Sequence, residues 1–376
     1  MLERRQRRRS LSSTGKIGKF SLEEAMRAQP TRTLYRSYDP FLDRKVAIKI
    51  IQLFDPVGEA DKTANDPFYT EAQAIGRLQH QNIVSVYDAG VGDYEGYIVM
   101  EYIQGESLLN MLKRKKYLPV NTALKIAAQI CYALDYAHKK NIIHRDIKPS
   151  NIMVTQDEQV KVVDFGISIL NLDDIKHTGL MGTPSYMAPE LIDGAAANER
   201  SDLFSVAVLL YEMITGDVPF TGSDAHSVLY KIVNNEPETI EDIQLESLKA
   251  LLLKALAKQP VDRFSSAAEF ETALLVVADE VNANKDSFQE LNTEQLKQLE
   301  IFENSSLETL HELANCLDVS PVDAGEVIFS ECLLDEYLCL IEGKALLIAD
   351  DKRLDVSAKQ WLSESRLSRE FSQCSC

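Results

Sequence analysis

The chain has 376 residues, of which 45% are hydrophobic and 26% are charged, as is usual for soluble globular proteins. This length suits two domains, one large and one small. The formal net charge of −18 argues against general nucleic-acid binding by the folded body, and no apolar run approaches the roughly 18 residues of a membrane-spanning helix. We therefore expect a cytoplasmic protein without nucleic-acid partners and without a membrane span.

The first 16 residues form a polar, basic segment. Five arginines fall between positions 4 and 9, and Ser10 and Ser12 follow them. Such a run predicts a solvated, disordered tail. The alternatives are a phosphorylation site at Ser10 or Ser12 for a kinase that prefers basic sequences, or contact with a membrane or nucleic acid. No apolar stretch accompanies the arginines, so we do not expect a secretory signal.

From residue 17 the sequence is rich in predicted strands. A turn with hairpin chemistry falls at 39–44, and apolar residues at helical spacing predict a helix over 68–79. The predicted strands include 34–35, 46–51, 84–87 and 97–100. Together these elements predict an antiparallel sheet accompanied by one helix.

After Gly105 the pattern becomes mostly helical. Residues 107–113 and 121–138 are amphipathic, and residues 203–214 are almost wholly apolar, which predicts a central buried helix. Short strands and turns return between 143 and 166. That region carries most of the polar side chains suited to chemistry.

Residues 144–151 read His-Arg-Asp-Ile-Lys-Pro-Ser-Asn, with apolar residues on both sides. A loop between two buried segments can hold functional groups rigidly, as phosphoryl transfer requires. The carboxylate of Asp146 can accept the proton of an attacking hydroxyl, and the ammonium of Lys148 can neutralise the moving phosphoryl group. The amide of Asn151 can ligate Mg²⁺.

Two further groups complete this set. Lys49 ends a Val-Ala-Ile-Lys strand whose alternation directs the lysine into a cleft, and Glu71 on the following helix is its predicted partner. Asp164 leaves the apolar strand 160–163 just before a phenylalanine and a glycine. A carboxylate in that position is suited to holding Mg²⁺ against nucleotide phosphates.

These motifs occur in the order and spacing of protein kinases, and residues 17–279 resemble a bacterial-type Ser/Thr protein kinase over their full extent. The resemblance implies an α+β, two-lobed fold, with an antiparallel sheet and one helix in the N-lobe (17–103) and a mostly helical C-lobe (104–279). It implies transfer of the ATP γ-phosphate to Ser/Thr hydroxyls of protein substrates. ATP and Mg²⁺ are the implied cofactors, with Asn151 and Asp164 holding the metal.

The same resemblance assigns an ATP site. Lys49, held by Glu71, would lie on the α- and β-phosphates, Met100 would guard the adenine pocket, and the backbones of Glu101 and Ile103 would meet the adenine edge. Met153 would lie beneath the ring. The residues implied for this site are Lys49, Glu71, Met100, Glu101, Ile103, Met153 and Asp164.

Residues 164–190 resemble an activation segment. Thr178 is the candidate for phosphorylation, because the arginine that precedes Asp146 would give a phosphate a cationic partner. Thr183 is expected to hydrogen-bond the catalytic loop and to help select a Ser/Thr substrate. Lys148 also fits the Ser/Thr class.

Three residues have implied structural roles. Glu190 is matched to Arg263, as in an ion pair of the family. Asp202 corresponds to the aspartate that caps the buried helix and holds the catalytic loop.

The chain departs from the family at the loop that covers the nucleotide, where the Gly-x-Gly-x-x-Gly positions hold Arg27, Gln29 and Arg32. A side chain costs about 1 kcal/mol or more wherever φ must be positive, so we expect a reshaped loop. Either Arg27 or Arg32 contacts phosphates through its guanidinium, or nucleotide affinity falls. An active kinase is the favoured interpretation, and a pseudokinase or weakly active scaffold is the alternative.

Residues 300–352 resemble the first half of a cyclic-nucleotide-binding domain. The resemblance rests on an Ala-Gly-Glu-x-Ile-Phe run at 324–329 and a Glu-Gly turn at 342–343. Strand-like runs at 337–341 and 345–348 predict a tight β-meander.

The phosphate-binding cassette of that domain does not appear before the end of the chain. We therefore expect a partial β-roll used for homodimerisation or autoregulation rather than for cyclic-nucleotide binding. Residues 280–299 are expected to form a linker or helix, and residues 353–376 a disordered tail.

Overall fold

The structure is a computed structural model of the chain, and its residues fall into two compact units, Met1–Asp279 and Glu280–Cys376. Side chains are described up to residue 283, except those of residues 29 and 67–71. The described residues are 15–29, 32–52, 67–91, 95–165, 184–237, 243, 245–296, 338–340, 344–349, 352–357 and 360–362. The basic segment 1–14 lies outside them.

The first unit begins with an antiparallel sheet of six strands in the order β1-β2-β3-β4-β6-β5. One helix, α1 (Pro67–Gly76), lies between β4 and β5 in the sequence. The strands are β1 (Lys16–Ile17), β2 (Phe20–Gln29), β3 (Arg32–Asp39), β4 (Arg44–Gln52), β5 (Val86–Val91) and β6 (Glu95–Glu101). The predicted N-lobe architecture is confirmed.

Strand β4 shows why this sheet forms. Val46, Ile48 and Ile50 alternate along it and pack with Phe20 and Val99 into one core cluster. The intervening residues therefore face the opposite side of the sheet, where Lys49 lies. Helix α1 ends at residue 76 rather than at the predicted 79, because Gly76 favours a helix end.

The rest of the first unit is mostly helical, with one small sheet in the order β7-β8-β9. Its strands are β7 (Gly105–Ser107), β8 (Ile152–Thr155) and β9 (Val160–Val162). The helices are α2 (Leu108–Lys115), α3 (Val120–His138), α4 (Pro189–Ile192), α5 (Glu199–Thr215), α6 (Ala225–Asn234), α7 (Glu246–Ala255) and α8 (Ala267–Leu296). Across the described residues, no helix has the length and apolar character that crossing a membrane requires.

Helix α5 is the predicted central buried helix, and it packs against α3. It begins at Glu199, four residues before the predicted start, because Asn198 and Ser201 form a capping box there. Gly216 ends it in the left-handed conformation, with φ of 84°. Asp202 lies inside the first turn, so the expectation that it caps the helix is wrong: Asn198 is the cap.

The described strands of the second unit form two antiparallel pairs. Strand β10 (Leu338–Leu340) pairs with β13 (Gln360–Leu362), and β11 (Lys344–Ala349) pairs with β12 (Lys352–Ser357). The predicted meander, which would pair β10 with β11, is therefore wrong among these strands. Local alternation predicts strands but does not determine which distant strand each one joins.

Helix α8 continues to Leu296, so most of the range expected to be a linker or helix is helical. One expectation about the second unit needs correction. Strands β12 and β13 lie within the range predicted to be a disordered tail, where Leu354 and Val356 alternate with polar residues and stand opposite Leu347 and Ala345. Residues 301–337 lie outside the described part of the chain. The resemblance to a cyclic-nucleotide-binding domain therefore stays a prediction.

Candidate active site

Strand β4 brings Lys49 to the cleft between the sheet and the helical lobe. The side chain of Lys49 is 8% exposed, and its Nζ lies 2.8 Å from Oδ2 of Asp164. A lysine buried to this degree requires an opposite charge, and Asp164 supplies one. Glu71 lies on α1, but its side chain is outside the described part of the chain, so its pairing with Lys49 stays a prediction.

Asp164 follows β9 with φ of 64°, in the left-handed region that a non-glycine residue seldom occupies. Strain of this kind concentrates at functional sites, where the surrounding contacts hold it in place. Burial by itself raises the pKa of Asp164, but the Lys49 ammonium outweighs that effect, with His144 and Arg32 adding to it. The pKa therefore lies below its usual value, and the carboxylate is ionised at neutral pH.

The loop that carries Asp146 is anchored on Asp202, whose side chain is 1% exposed. Its Oδ2 accepts hydrogen bonds from the backbone N–H of His144 at 2.8 Å and from Nε2 of His138 at 2.9 Å. Its Oδ1 accepts from the backbone N–H of Arg145, also at 2.8 Å. One buried carboxylate thus fixes two successive amides of the loop.

His144 connects this loop to the segment that precedes the glycine at 166. Its ring is fully buried and lies edge-on to the ring of Phe165, with centroids 4.5 Å apart. Its Nε2 lies 3.0 Å from the carbonyl oxygen of Val163. Asp146 and Asp164 are therefore held by one continuous network.

Three polar side chains meet at the surface of this network, those of Asp146, Lys148 and Asn151. The Lys148 ammonium is 2.8 Å from the Asp146 carboxylate. The amide of Asn151 donates to Oδ2 of Asp146 at 3.0 Å and to its carbonyl oxygen at 2.8 Å. The Asn151 side chain is thereby oriented with its oxygen available as an acceptor, which Ser150 Oγ approaches at 3.3 Å.

At the end of β6 the chain passes between the two lobes. Met100 is buried and stands opposite Ala47 in the sheet. The Glu101 carboxylate accepts from Lys161 Nζ at 3.0 Å, and its backbone N–H donates to the carbonyl of Ser85 at 2.9 Å. Sequence reasoning missed Lys161, because a lysine in a short strand carries no local signal of a distant partner.

The remaining residues assigned to adenine follow from these elements. Ile103 is half-buried two residues after β6, and Met153 is half-buried on β8. Met153 stands opposite Ser107 on one side and Lys161 on the other. Met153 therefore lies on β8, next to strand β9, whose Lys161 forms the ion pair with the Glu101 carboxylate.

Arg263 uses all five of its N–H donors. Its two terminal nitrogens form a bidentate pair with the Glu190 carboxylate at 2.8 and 3.0 Å. The other donors reach three backbone carbonyls, those of Ala257, Lys258 and Arg200. Burial raises the pKa of Glu190, but hydrogen bonds from Arg263 and from Ser201 outweigh it and hold that pKa below its usual value.

A second contact of the helical lobe joins two half-buried side chains. The hydroxyl of Tyr186 donates to Glu212 at 2.6 Å, and Glu212 lies on α5. Sequence reasoning did not find this contact, since neither residue stands out from its neighbours. Thr178 and Thr183 lie outside the described residues, so their roles stay predictions.

The hairpin of β2 and β3 shows what replaces the expected glycines. Gln29 pairs directly with Arg32, so only residues 30 and 31 link the strands, and Arg27 pairs with Leu34. Neither Arg27 nor Arg32 is among the described residues with positive φ. The expected backbone strain therefore does not arise at Arg27 and Arg32, because both residues lie in paired antiparallel strands that accept side chains, although the register shifts between Ala25 and Arg27.

A sheet-rich lobe, a helical lobe and ionised groups converging between them define a protein kinase domain. The family model described as "Protein kinase domain" matches residues 34–275, and the chain belongs to this family.

Similar proteins include bacterial serine/threonine-protein kinases. The chain is 38% identical to PknB of Mycobacterium leprae over 63% of its own length and 39% of the relative's. It is 36% identical to PksC of Streptomyces coelicolor over 69% and 49%, and 34% identical to PrkC of Bacillus subtilis over 77% and 45%. The chain thus spans less than half the length of these curated relatives.

One solved structure is similar over most of the first unit. It is the crystal structure of Rad53 1–466 in complex with AMP-PNP, with a TM-score of 0.56 and 26% identity. The match covers 68% of this chain and 64% of that one. The two-lobed kinase fold predicted from the sequence is confirmed.

Proposed function

We propose that this chain is a serine/threonine protein kinase that transfers the γ-phosphate of ATP to hydroxyl groups of protein substrates. The observation that carries the proposal is the convergence of Asp146, Lys148 and Asn151 within hydrogen-bonding distance, joined through His144 to Asp164. The bacterial relatives named serine/threonine-protein kinases support the same activity.

Each polar side chain of the site has its own proposed role, which follows from its charge. Asp146 is placed to accept the proton of the attacking hydroxyl, and Asn151 holds that carboxylate in one orientation. Lys148 lies beside Asp146, where its ammonium can offset the charge of the transferred phosphoryl group. Lys49 is placed to hold the phosphates of the nucleotide from the sheet side of the cleft.

The donor set fits Mg²⁺. Among the described side chains no cluster of three His, Cys, Asp or Glu residues can hold a metal. Mg²⁺ is commonly held by one or two side-chain oxygens together with nucleotide phosphates, and Asp164 and Asn151 offer such oxygens. When bound, the ion neutralises phosphate charge. Asp164 is already ionised for this role, because its pKa is lowered.

We extend the proposal to the adenine and activation roles that the resemblance to protein kinases implies. We assign Met100 to the back of the adenine pocket, the backbones of Glu101 and Ile103 to its edge, and Met153 to its floor. We assign Thr178 to phosphorylation, paired with the guanidinium of Arg145.

Autophosphorylation with radiolabelled ATP tests the proposal. We expect Asp146→Asn to lower phosphate incorporation by about 10²- to 10⁴-fold, the usual contribution of a general base. Asp157→Asn is the matched control, because Asp157 is exposed in the turn between β8 and β9. Equal incorporation in wild type and Asp146→Asn would refute the assignment. Mass spectrometry of the labelled protein then locates the acceptor and tests Thr178.

A second candidate is a pseudokinase or scaffold, favoured by the arginines that occupy the glycine positions of the nucleotide loop. It predicts weakened ATP binding and phosphate incorporation that is no greater in wild type than in Asp146→Asn, whereas the kinase proposal requires both binding and transfer.

We also propose a homodimer through the second unit, since isolated two-stranded sheets are marginally stable and gain from a partner. Light scattering of the full chain measures the mass directly.

A further inference from the structure

Two arginines of the β2–β3 hairpin have no ion-pair partner in the described part of the chain. They are Arg27 and Arg32, which stand where the family has glycines. Arg36 lies on the same strand as Arg32 and does have partners, Glu23 at 3.3 Å and Glu24 at 3.0 Å. Strand β3 therefore carries one arginine used by the fold and one that the described fold does not use.

The register of the sheet shows which side these arginines occupy. Residues paired across antiparallel strands project on the same face. Arg27 pairs with Leu34, which pairs with Lys49, and Arg32 pairs with Ile51, two residues further along β4. The other face is filled by the core cluster around Ile17 and Phe20. Arg27 and Arg32 therefore share the face of Lys49, above the cleft.

The two arginines add positive charge to the face on which Lys49 lies. Lys49 is itself paired with Asp164, whose carboxylate is 2.8 Å from the ammonium. Arg32 is half-buried, whereas Arg27 is exposed, and both lie near the turn of the hairpin. Of these three cations only Lys49 has a carboxylate partner in the described part of the chain, so the face has an excess of positive charge that suits a polyanion.

The backbone of the same hairpin is poorly suited to bind phosphate by itself. A phosphate cradle made of backbone needs successive N–H donors. The sequence between the two strands includes Pro30, which has no backbone N–H to donate. A guanidinium offers a planar fork of donors that matches phosphate oxygens.

We propose that the hairpin binds the ATP triphosphate through the guanidinium of Arg32, assisted by Arg27, in place of a glycine-lined backbone cradle. The inference rests on the proposed function, because it concerns the same nucleotide. It differs from that function in assigning the phosphate contacts to side chains of β2 and β3.

Calorimetric titration of the full chain tests the proposal with two probes, ATP with Mg²⁺ and adenosine. We expect Arg32→Gln to weaken ATP binding by about tenfold or more, the loss expected for one charge-assisted contact, while adenosine affinity changes less than about twofold. Adding Arg27→Gln should weaken ATP binding further. Arg77→Gln is the control, since Arg77 is an exposed arginine just after α1; it should leave both affinities unchanged.

Two results would overturn the proposal. One is an unchanged ATP affinity in Arg32→Gln. The other is an equal loss of affinity for ATP and adenosine, which would indicate a structural role for Arg32. Either result leaves the proposed kinase function standing if wild type still binds ATP and Asp146→Asn still abolishes transfer. A wild type that binds no ATP would overturn both proposals.

Discussion

The catalytic loop and the β2–β3 hairpin border the same cleft, yet they are held in different ways. Side chains hold the catalytic loop: Asp202 accepts hydrogen bonds from two of its amides and one from His138 of α3, and Asn151 makes two to Asp146. Backbone pairing holds the hairpin, where Arg27 and Arg32 are paired residues of β2 and β3. A loop built from side-chain contacts constrains which residues can occupy it, whereas a backbone ladder leaves its side chains free to change.

The largest effect should come from removing the anchor of the catalytic loop. Asp202→Ala leaves two backbone amides and the ring of His138 without their acceptor, so we expect the free energy of unfolding to fall by about 4–5 kcal/mol. Chemical denaturation measures this. Asp157→Ala, at an exposed turn, should change stability by less than about 0.5 kcal/mol. A small loss in Asp202→Ala would mean that the loop is held by something else.

An intermediate, pH-dependent effect should come from Glu190. The pKa of Glu190 is lower in the folded chain than its unfolded value of 4.5, so the folded state favours the carboxylate. That stabilisation is fully present above the unfolded pKa and is lost as the pH falls through the folded pKa. The stability advantage of wild type over Glu190→Gln should therefore be constant near neutral pH and shrink below about pH 4.5.

Denaturation of wild type and Glu190→Gln across this pH range measures the difference. Other groups that titrate in the same range, such as Glu212, contribute to both proteins and cancel. A difference that does not change with pH would show that the Arg263 pair does not depend on the charge of Glu190.

The smallest effect on stability should come from the hairpin. Arg32→Thr removes a half-buried side chain without a described ion pair and introduces a residue that favours strands. We expect the free energy of unfolding to stay within about 0.5 kcal/mol of wild type, even though ATP binding weakens. A loss above about 1.5 kcal/mol would contradict the comparison, since it would show that the hairpin too depends on its side chains.

Features of the fold that depend on the local pattern of residues were predictable from the sequence. Alternation along β4 indicated the face on which Lys49 lies, and the apolar run after residue 203 indicated the central helix. Contacts between distant segments were not predictable in this way. Lys161 and Glu212 look ordinary in sequence, and only the fold brings each to its partner.

Helix ends and loop conformations were also hard to predict. The start of α5 depends on the hydroxyl and amide of its capping box rather than on apolar periodicity. The arginines at the glycine positions suggested strain, since the family uses glycine there. Both arginines instead lie in paired strands without positive φ, and the irregularity of the hairpin is a register shift between Ala25 and Arg27.

The ion pair between Glu101 and Lys161 has a mechanical consequence. Glu101 stands opposite Val46 at one end of β4, whereas Arg32 stands opposite Ile51, about 17 Å away along the strand at roughly 3.3 Å per residue. Because the ion pair ties the sheet to β9 at the Glu101 end, we expect a rotation between the lobes to displace that end least. A small rotation about the Glu101 end would then displace the hairpin, where the arginines lie, more than it displaces Glu101.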